Sequence, residues 1–117
     1  MRVASIASPA FGKIYLARVQ LARKEPAAAE ALARDALRIR QRLFAPEDWR
    51  VGVTKSVLGA ALTALGRYDE AEALLLDARR ALKDIPGLQE QEARVTRGRL
   101  AALYEARGLP DKAALYK

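Results

Sequence analysis

Lys13, Lys55 and Arg97 stand 42 residues apart, in one register along the 117-residue chain. Like charges repeated at a fixed interval suit the grip of acidic side chains or of a carboxyl terminus, through charge-assisted hydrogen bonds, better than they suit proton transfer. Other chemistry has few candidates. The chain contains no His and no Cys, which removes the commonest general base, the commonest metal ligand and every thiolate site. The tightest acidic group, Asp69, Glu70 and Glu72, falls where a helix is expected to begin, and negative charge there complements the helix dipole. The expectation is therefore no catalytic residue, no metal and no cofactor.

A second set of residues shapes a surface instead of reacting. Gly52, Ser56, Gly59 and Thr63 recur at helical spacing and read either as the floor of a groove or as the small side of a helix contact. Arg94 precedes Arg97 by one turn and extends the basic row. Trp49, beside the linker containing Pro46, either caps a ligand pocket or plugs a junction between helices. Arg34, Arg38, Arg40 and Arg42 crowd one segment, but Glu30 lies four residues before Arg34, the favourable order for an intrahelical pair, so a solvated outer face is expected.

The formal charge of +7 favours acidic partners, among them acidic protein segments, nucleic acid and anionic membranes. No RGG tract, zinc module or aromatic platform accompanies the charge, which argues against nucleic acid. No apolar run approaches the ~18 residues of a membrane span.

The elements that position these residues follow the same interval. "AEALARDA" at Ala29 to Ala36 lies over "AEALLLDA" at Ala71 to Ala78, and "ALGRYDEA" at Ala64 to Ala71 lies over "ARGLPDKA" at Ala106 to Ala113. Leu16, Leu58 and Leu100 are in phase, as are Gly66 and Gly108. Each unit reads as two antiparallel helices. Ser8 caps and Pro9 opens the first, which runs to about Arg23, and Pro26 opens the second, to about Phe44. Asp48 caps a helix from Trp49 to Leu65, Gly66 ends it in the left-handed conformation, and its partner restarts near Tyr68. Pro86 and Gly87 break the chain before a third hairpin, Gln91 to Arg107 and Pro110 onward. One domain, 1–117, thus holds three units at about 8–44, 48–84 and 90–117. By phase Tyr15, Tyr68 and Tyr104 belong to the core or the hairpin turns, and Phe11, Val53 and Val95 pack beneath the basic row.

This pattern resembles tetratricopeptide repeats. "LGAALTALGRYDEAEALLLDA", Leu58 to Ala78, carries the likeness: the Leu-Gly pair of the first helix, the closing Gly, the Tyr, Asp and Glu that open the second, and the small Ala71 and Ala78. The 42-residue period and the linker "FAPED" resemble the kinesin-light-chain type of unit, and the end of the chain resembles the repeat regions appended to bacterial signalling proteins such as serine/threonine kinases. The match weakens in the first unit, where Lys24 replaces the closing Gly and Ala17 replaces Gly59. The resemblance implies an all-α fold of antiparallel hairpins stacked as a short right-handed superhelical solenoid; a cytoplasmic location is the default expectation, and the lack of His and Cys leads to the expectation of no enzyme. The resemblance also implies a concave face, lined by the first helices, that binds protein segments.

The expected function is then a scaffold for a peptide or protein segment, preferably acidic, held by Lys13, Lys55 and Arg97 with Ser56, Thr63 and Arg94. A nucleic-acid-binding helical module is one rival. Self-assembly is the other: the last helix spans barely two turns, so Leu100, Leu103, Tyr104 and Leu115 are expected to form an uncovered edge that pairs with a second copy. Homo-oligomerisation through that edge is the corresponding expectation.

Overall fold

Each of the three hairpins turns on one left-handed residue. The computed structural model describes residues 9–83, 87 and 89–117, and through them run six helices: α1 Pro9–Ala22, α2 Pro26–Leu43, α3 Trp49–Ala64, α4 Tyr68–Leu82, α5 Gln89–Ala106 and α6 Pro110–Ala114. The Ser8 cap and the break at Pro86 lie outside the described residues. The left-handed residues are Lys24 at φ 61°, Gly66 at 79° and Gly108 at 75°. In all three turns the following amide reaches back five residues, Glu25 to the Gln20 carbonyl at 2.8 Å, Arg67 to Leu62 at 2.9 Å and Leu109 to Tyr104 at 2.8 Å. These bonds satisfy carbonyls that the helix end would otherwise leave unpaired.

The starts are equally local. Pro26 and Pro110 occupy first helical positions, where a missing amide hydrogen costs nothing. Asp48 caps α3 as expected, its side chain accepting from the Arg50 amide at 2.8 Å.

Consecutive helices pack against each other; α1 also approaches α3, and α3 approaches α5, whereas among the described residues the backbones of α2 and α4 stay apart and the Arg34–Glu70 ion pair joins them. First helices that approach while second helices diverge bend the stack toward the first-helix side. The central α3 has neighbours on both sides, and from Val51 to Leu62 only Lys55 and Ala60 are not fully buried. Small residues set the approach at the crossings. A Cβ on Gly59 would fall 2.6 Å from Leu75 Cγ, and one on Gly52 would fall 2.7 Å from Ala81 Cβ. These two glycines therefore face α4, and the small-residue stripe is a helix contact and not a groove floor.

The far end differs from the expected bare edge. Leu100 and Leu103 are 0% exposed and Tyr104 is 3% exposed, within a core cluster that includes Leu58, Leu62, Leu75 and Ala113. Short as it is, α6 contributes Ala113 to that cluster, and Tyr116 just beyond it stacks on Tyr104 with ring centres 5.8 Å apart. The Tyr104 hydroxyl donates to Glu72 at 2.5 Å; burial first, and then this bond to a carboxylate, hold the phenol well above its usual range. Only Leu115, 76% exposed, remains uncovered among the four edge residues. The tyrosine expectation also fails at one place: Tyr15 is 64% exposed, because the first helix has no hairpin before it among the described residues.

Candidate binding groove

The basic row is partly spoken for within the chain. Lys13 lies 3.6 Å from Asp35, and Lys55 lies 3.2 Å from Asp77. Both pairs join a first helix to its own second helix at the same register, so they brace the hairpins. Arg97 is exposed and forms no ion pair among the described residues. Arg94 is exposed as well, with Glu90 one turn back at 3.8 Å. Ser56 is a correction: it is wholly buried, 2.7 Å from the Thr96 hydroxyl, and accepts from Arg99 at 2.9 Å. Thr63 donates to the Gly59 carbonyl of its own helix at 2.9 Å, as mid-helix threonines commonly do.

The Arg-rich segment of α2 divides into two parts. Arg34 pairs with Glu30 and reaches Glu70 of the next hairpin at 2.9 Å, while Arg38 pairs with Asp35. Arg34 holds the Glu70 carboxyl below its usual range, with burial opposing and Arg67 assisting. Arg40 goes elsewhere.

Arg40 lines a cleft of about 380 Å³ where α1, the end of α2, the start of α3 and the start of α5 converge. Its apolar wall is Phe11, Ile14 and Tyr15 of α1 with Trp49 and Val53 of α3; its polar wall is Arg18, Arg40, Arg50 and Glu92. The row Phe11, Val53, Val95, expected to pack under the cations, instead runs toward solvent at both ends: Phe11 is 51% and Val95 38% exposed, while Val53 is buried.

Three arginines crowd this wall. Arg18 Nη2 donates to both Glu92 oxygens, at 3.0 and 3.1 Å, tying α1 to α5. Arg50 donates through Nε and Nη2 to the Asp48 carboxylate at 2.9 and 2.8 Å, and its guanidinium lies 3.6 Å from the Phe44 ring centre. Its bonds hold the Asp48 carboxyl below the usual range against the opposing effect of burial. Arg40 Nη1 donates to the Arg50 carbonyl at 3.0 Å and the Thr54 hydroxyl at 3.4 Å. Burial, then the charge of Arg50, lower the Arg40 pKa, Asp48 opposing. Behind the wall Arg99 is pushed down to about 10, by burial first and by Arg18 second. Both guanidiniums keep their charge at neutral pH, so the cleft is a positive, half-apolar concavity. Such a site binds and orients; among the described residues there is no cluster fit to hold a metal ion.

The cleft is not legible along any single helix, because its lining comes from four of them. At 42 residues Arg40 stands against Leu82, Arg18 against Ala60 and Arg99 against Val57. Cations standing against the buried Leu82 and Val57 of the second hairpin are the signal that the repeat offers.

A family model described as "Tetratricopeptide repeat" matches residues 14–49 and 51–84, more than half of the chain. The two matched spans cover most of the first two hairpins. Neither the curated proteins nor the solved structures yield a match.

Proposed function

The chain belongs to the tetratricopeptide repeat family, whose repeats mediate protein–protein interaction, and from that premise we propose that it is a scaffold holding an acidic protein segment in the groove along α1, α3 and α5. The carrying observation is the cleft at the head of that groove, where exposed Phe11 and Tyr15 share the lining of about 380 Å³ with Arg18, Arg40 and Arg50. Apolar lining with a few convergent polar groups is the usual make-up of a ligand site. The groove is preformed, so a segment binds it with little rearrangement. Arg97 and Arg94, both exposed, extend the positive surface along α5; Lys13 and Lys55 contribute field more than contact while Asp35 and Asp77 hold them. The 42-residue period supports the kinesin-light-chain type of unit. No described helix is long and apolar enough to cross a membrane.

The pairing of Arg34, Arg38, Arg67 and Arg107 with Glu30, Glu70, Asp35, Glu72 and Asp69 favours a protein segment over nucleic acid, since these cations are neutralised before any phosphate arrives. A second reading, assembly of copies through the last hairpin, rests on Leu109 and Leu115, 40% and 76% exposed. Calorimetric titration of acidic peptides into the wild type and Phe11→Asp tests the main reading. A negative charge placed in the cleft wall weakens an acidic segment bound there; equal affinity for the two proteins places the segment elsewhere.

A further inference from the structure

The 42-residue register sets Arg40 of α2 against Leu82 of α4. Leu82 is 1% exposed and closes the core at the end of its hairpin. Arg40 holds the same place in the first hairpin but lines the cleft. A guanidinium drawn out of water needs a compensating charge or a full set of acceptors, because desolvation of an ion costs several kcal/mol.

The neighbouring cations have such compensation. Arg18 has Glu92 at 3.0 Å and Arg50 has Asp48 at 2.8 Å. Arg40 has neutral acceptors for Nη1 alone, the Arg50 carbonyl and the Thr54 hydroxyl, and among the described residues no carboxylate lies within ion-pair distance of it. Arg18 Nε is also buried there without a partner. Arg40 thus keeps Nε and Nη2 for a further acceptor among the described residues, in a cleft that Phe11, Trp49 and Val53 also line.

We propose that the cleft receives a protein segment that presents an aromatic or branched aliphatic side chain next to a carboxylate, with the apolar group between Phe11, Trp49 and Val53 and the carboxylate on Arg40. This rests on the groove being the protein-binding surface. What it adds is the recognition element: a cation from a second helix, at a core position, and not the row on the first helices, whose lysines Asp35 and Asp77 already hold at 3.6 and 3.2 Å. Charge complementarity selects the occupant. A purely apolar segment leaves Arg40 uncompensated, and a bare phosphate leaves the aromatic wall wet.

The test exploits the sister residue. Arg40→Leu restores what the second hairpin has at Leu82, so the fold holds and the melting temperature stays or rises. The probe is the blocked hexapeptide Gly-Ser-Phe-Asp-Gly-Ser, with versions in which Phe is replaced by Ala or Asp by Asn, and with 3-phenylpropionate as a free acid. Binding is followed by fluorescence of Trp49, the only Trp in the chain, and by amide shifts of the labelled protein. The Phe-Asp peptide is expected to shift cleft residues, and each of the Asn peptide, the Ala peptide and the Arg40→Leu protein to weaken binding about tenfold or more. Equal binding by Arg40→Leu, or by the Asn peptide, overturns recognition by Arg40 and leaves segment binding in the groove standing. Free acid as tight as the peptide overturns the assignment to a protein segment. Absence of any cleft shift with all four probes at millimolar concentration overturns this inference. In that last case Phe11→Asp remains the separate arbiter of the groove.

Discussion

Lys24 occupies at φ 61° the left-handed position that Gly66 fills at φ 79° one repeat later. The turns make the same pair of backbone bonds, to the carbonyls of Leu21 and Gln20 in one and of Thr63 and Leu62 in the other. The geometry is thus a property of the hairpin, and the first unit adopts it despite its side chain.

Left-handed backbone costs a residue with a Cβ about 1–2 kcal/mol, part of which glycine returns through its freer unfolded chain. Lys24→Gly is therefore expected to stabilise by about 1 kcal/mol, and Gly66→Ala to destabilise by a similar amount. Denaturant midpoints of the two variants check both signs.

Two helical glycines separate packing from propensity. Gly59→Ala gains up to about 1 kcal/mol of helix propensity but drives a Cβ into buried Leu75, at 2.6 Å from Cγ and 2.8 Å from Cδ2. Gly98 has nothing within 4 Å of the same probe position. Gly98→Ala is expected to stabilise by about 0.5–1 kcal/mol, and Gly59→Ala to lose about 1–2 kcal/mol net. Equal effects of the two substitutions would mean that Gly59 does not set the crossing of α3 and α4.

Acid should loosen the junction of the first two hairpins. The Asp48 and Glu70 carboxyls are held below their ordinary 3.8 and 4.5, by Arg50 and Arg34 respectively. A carboxyl depressed in the folded state contributes stability above its unfolded value and loses it as pH falls through the folded one. Melting temperature should be flat above about pH 5 and decline below about pH 4.5, and Asp48→Asn with Glu70→Gln should flatten the decline. An unchanged acid limb would remove both pairs from the account.

The far end gives a contrast between a core and a surface leucine. Leu103→Asp introduces a charge at a site that is 0% exposed and is expected to cost more than about 4 kcal/mol. It reports unfolding and not dissociation. Leu115→Asp, at a position 76% exposed, should stay within about 0.5 kcal/mol of wild type. Light scattering of Leu115→Asp over a range of concentrations is then the sound test of assembly, and loss of a dimer in that variant alone would support the second reading.

The repeat was legible because Glu30, Leu32 and Asp35 recur as Glu72, Leu74 and Asp77, and because Gly, Pro and Asp mark helix ends through local geometry. Facing was not legible. Ser56 is small and helical in phase with a groove floor, yet Thr96 and Arg99 from α5 enclose it. Leu103 looked bare because helix length suggested so, but a five-residue α6 with Ala113 suffices to close the cluster around it. Lys55 looked free because its acid lies 22 residues on, across a turn. Arg40 looked solvated by its neighbours in sequence; only comparison with Leu82 marks its position as interior. Local signals fix where helices start and stop, whereas burial depends on which neighbours arrive from other hairpins.

The central claim, that the groove along α1, α3 and α5 holds an acidic segment, is tested most directly by mapping amide chemical shifts on the labelled protein during titration with the blocked Phe-Asp hexapeptide. The account predicts shifts concentrated at Phe11, Tyr15, Arg18, Trp49 and Val53 and extending toward Val95. Shifts confined to the outer surfaces of α2 and α4 would contradict it.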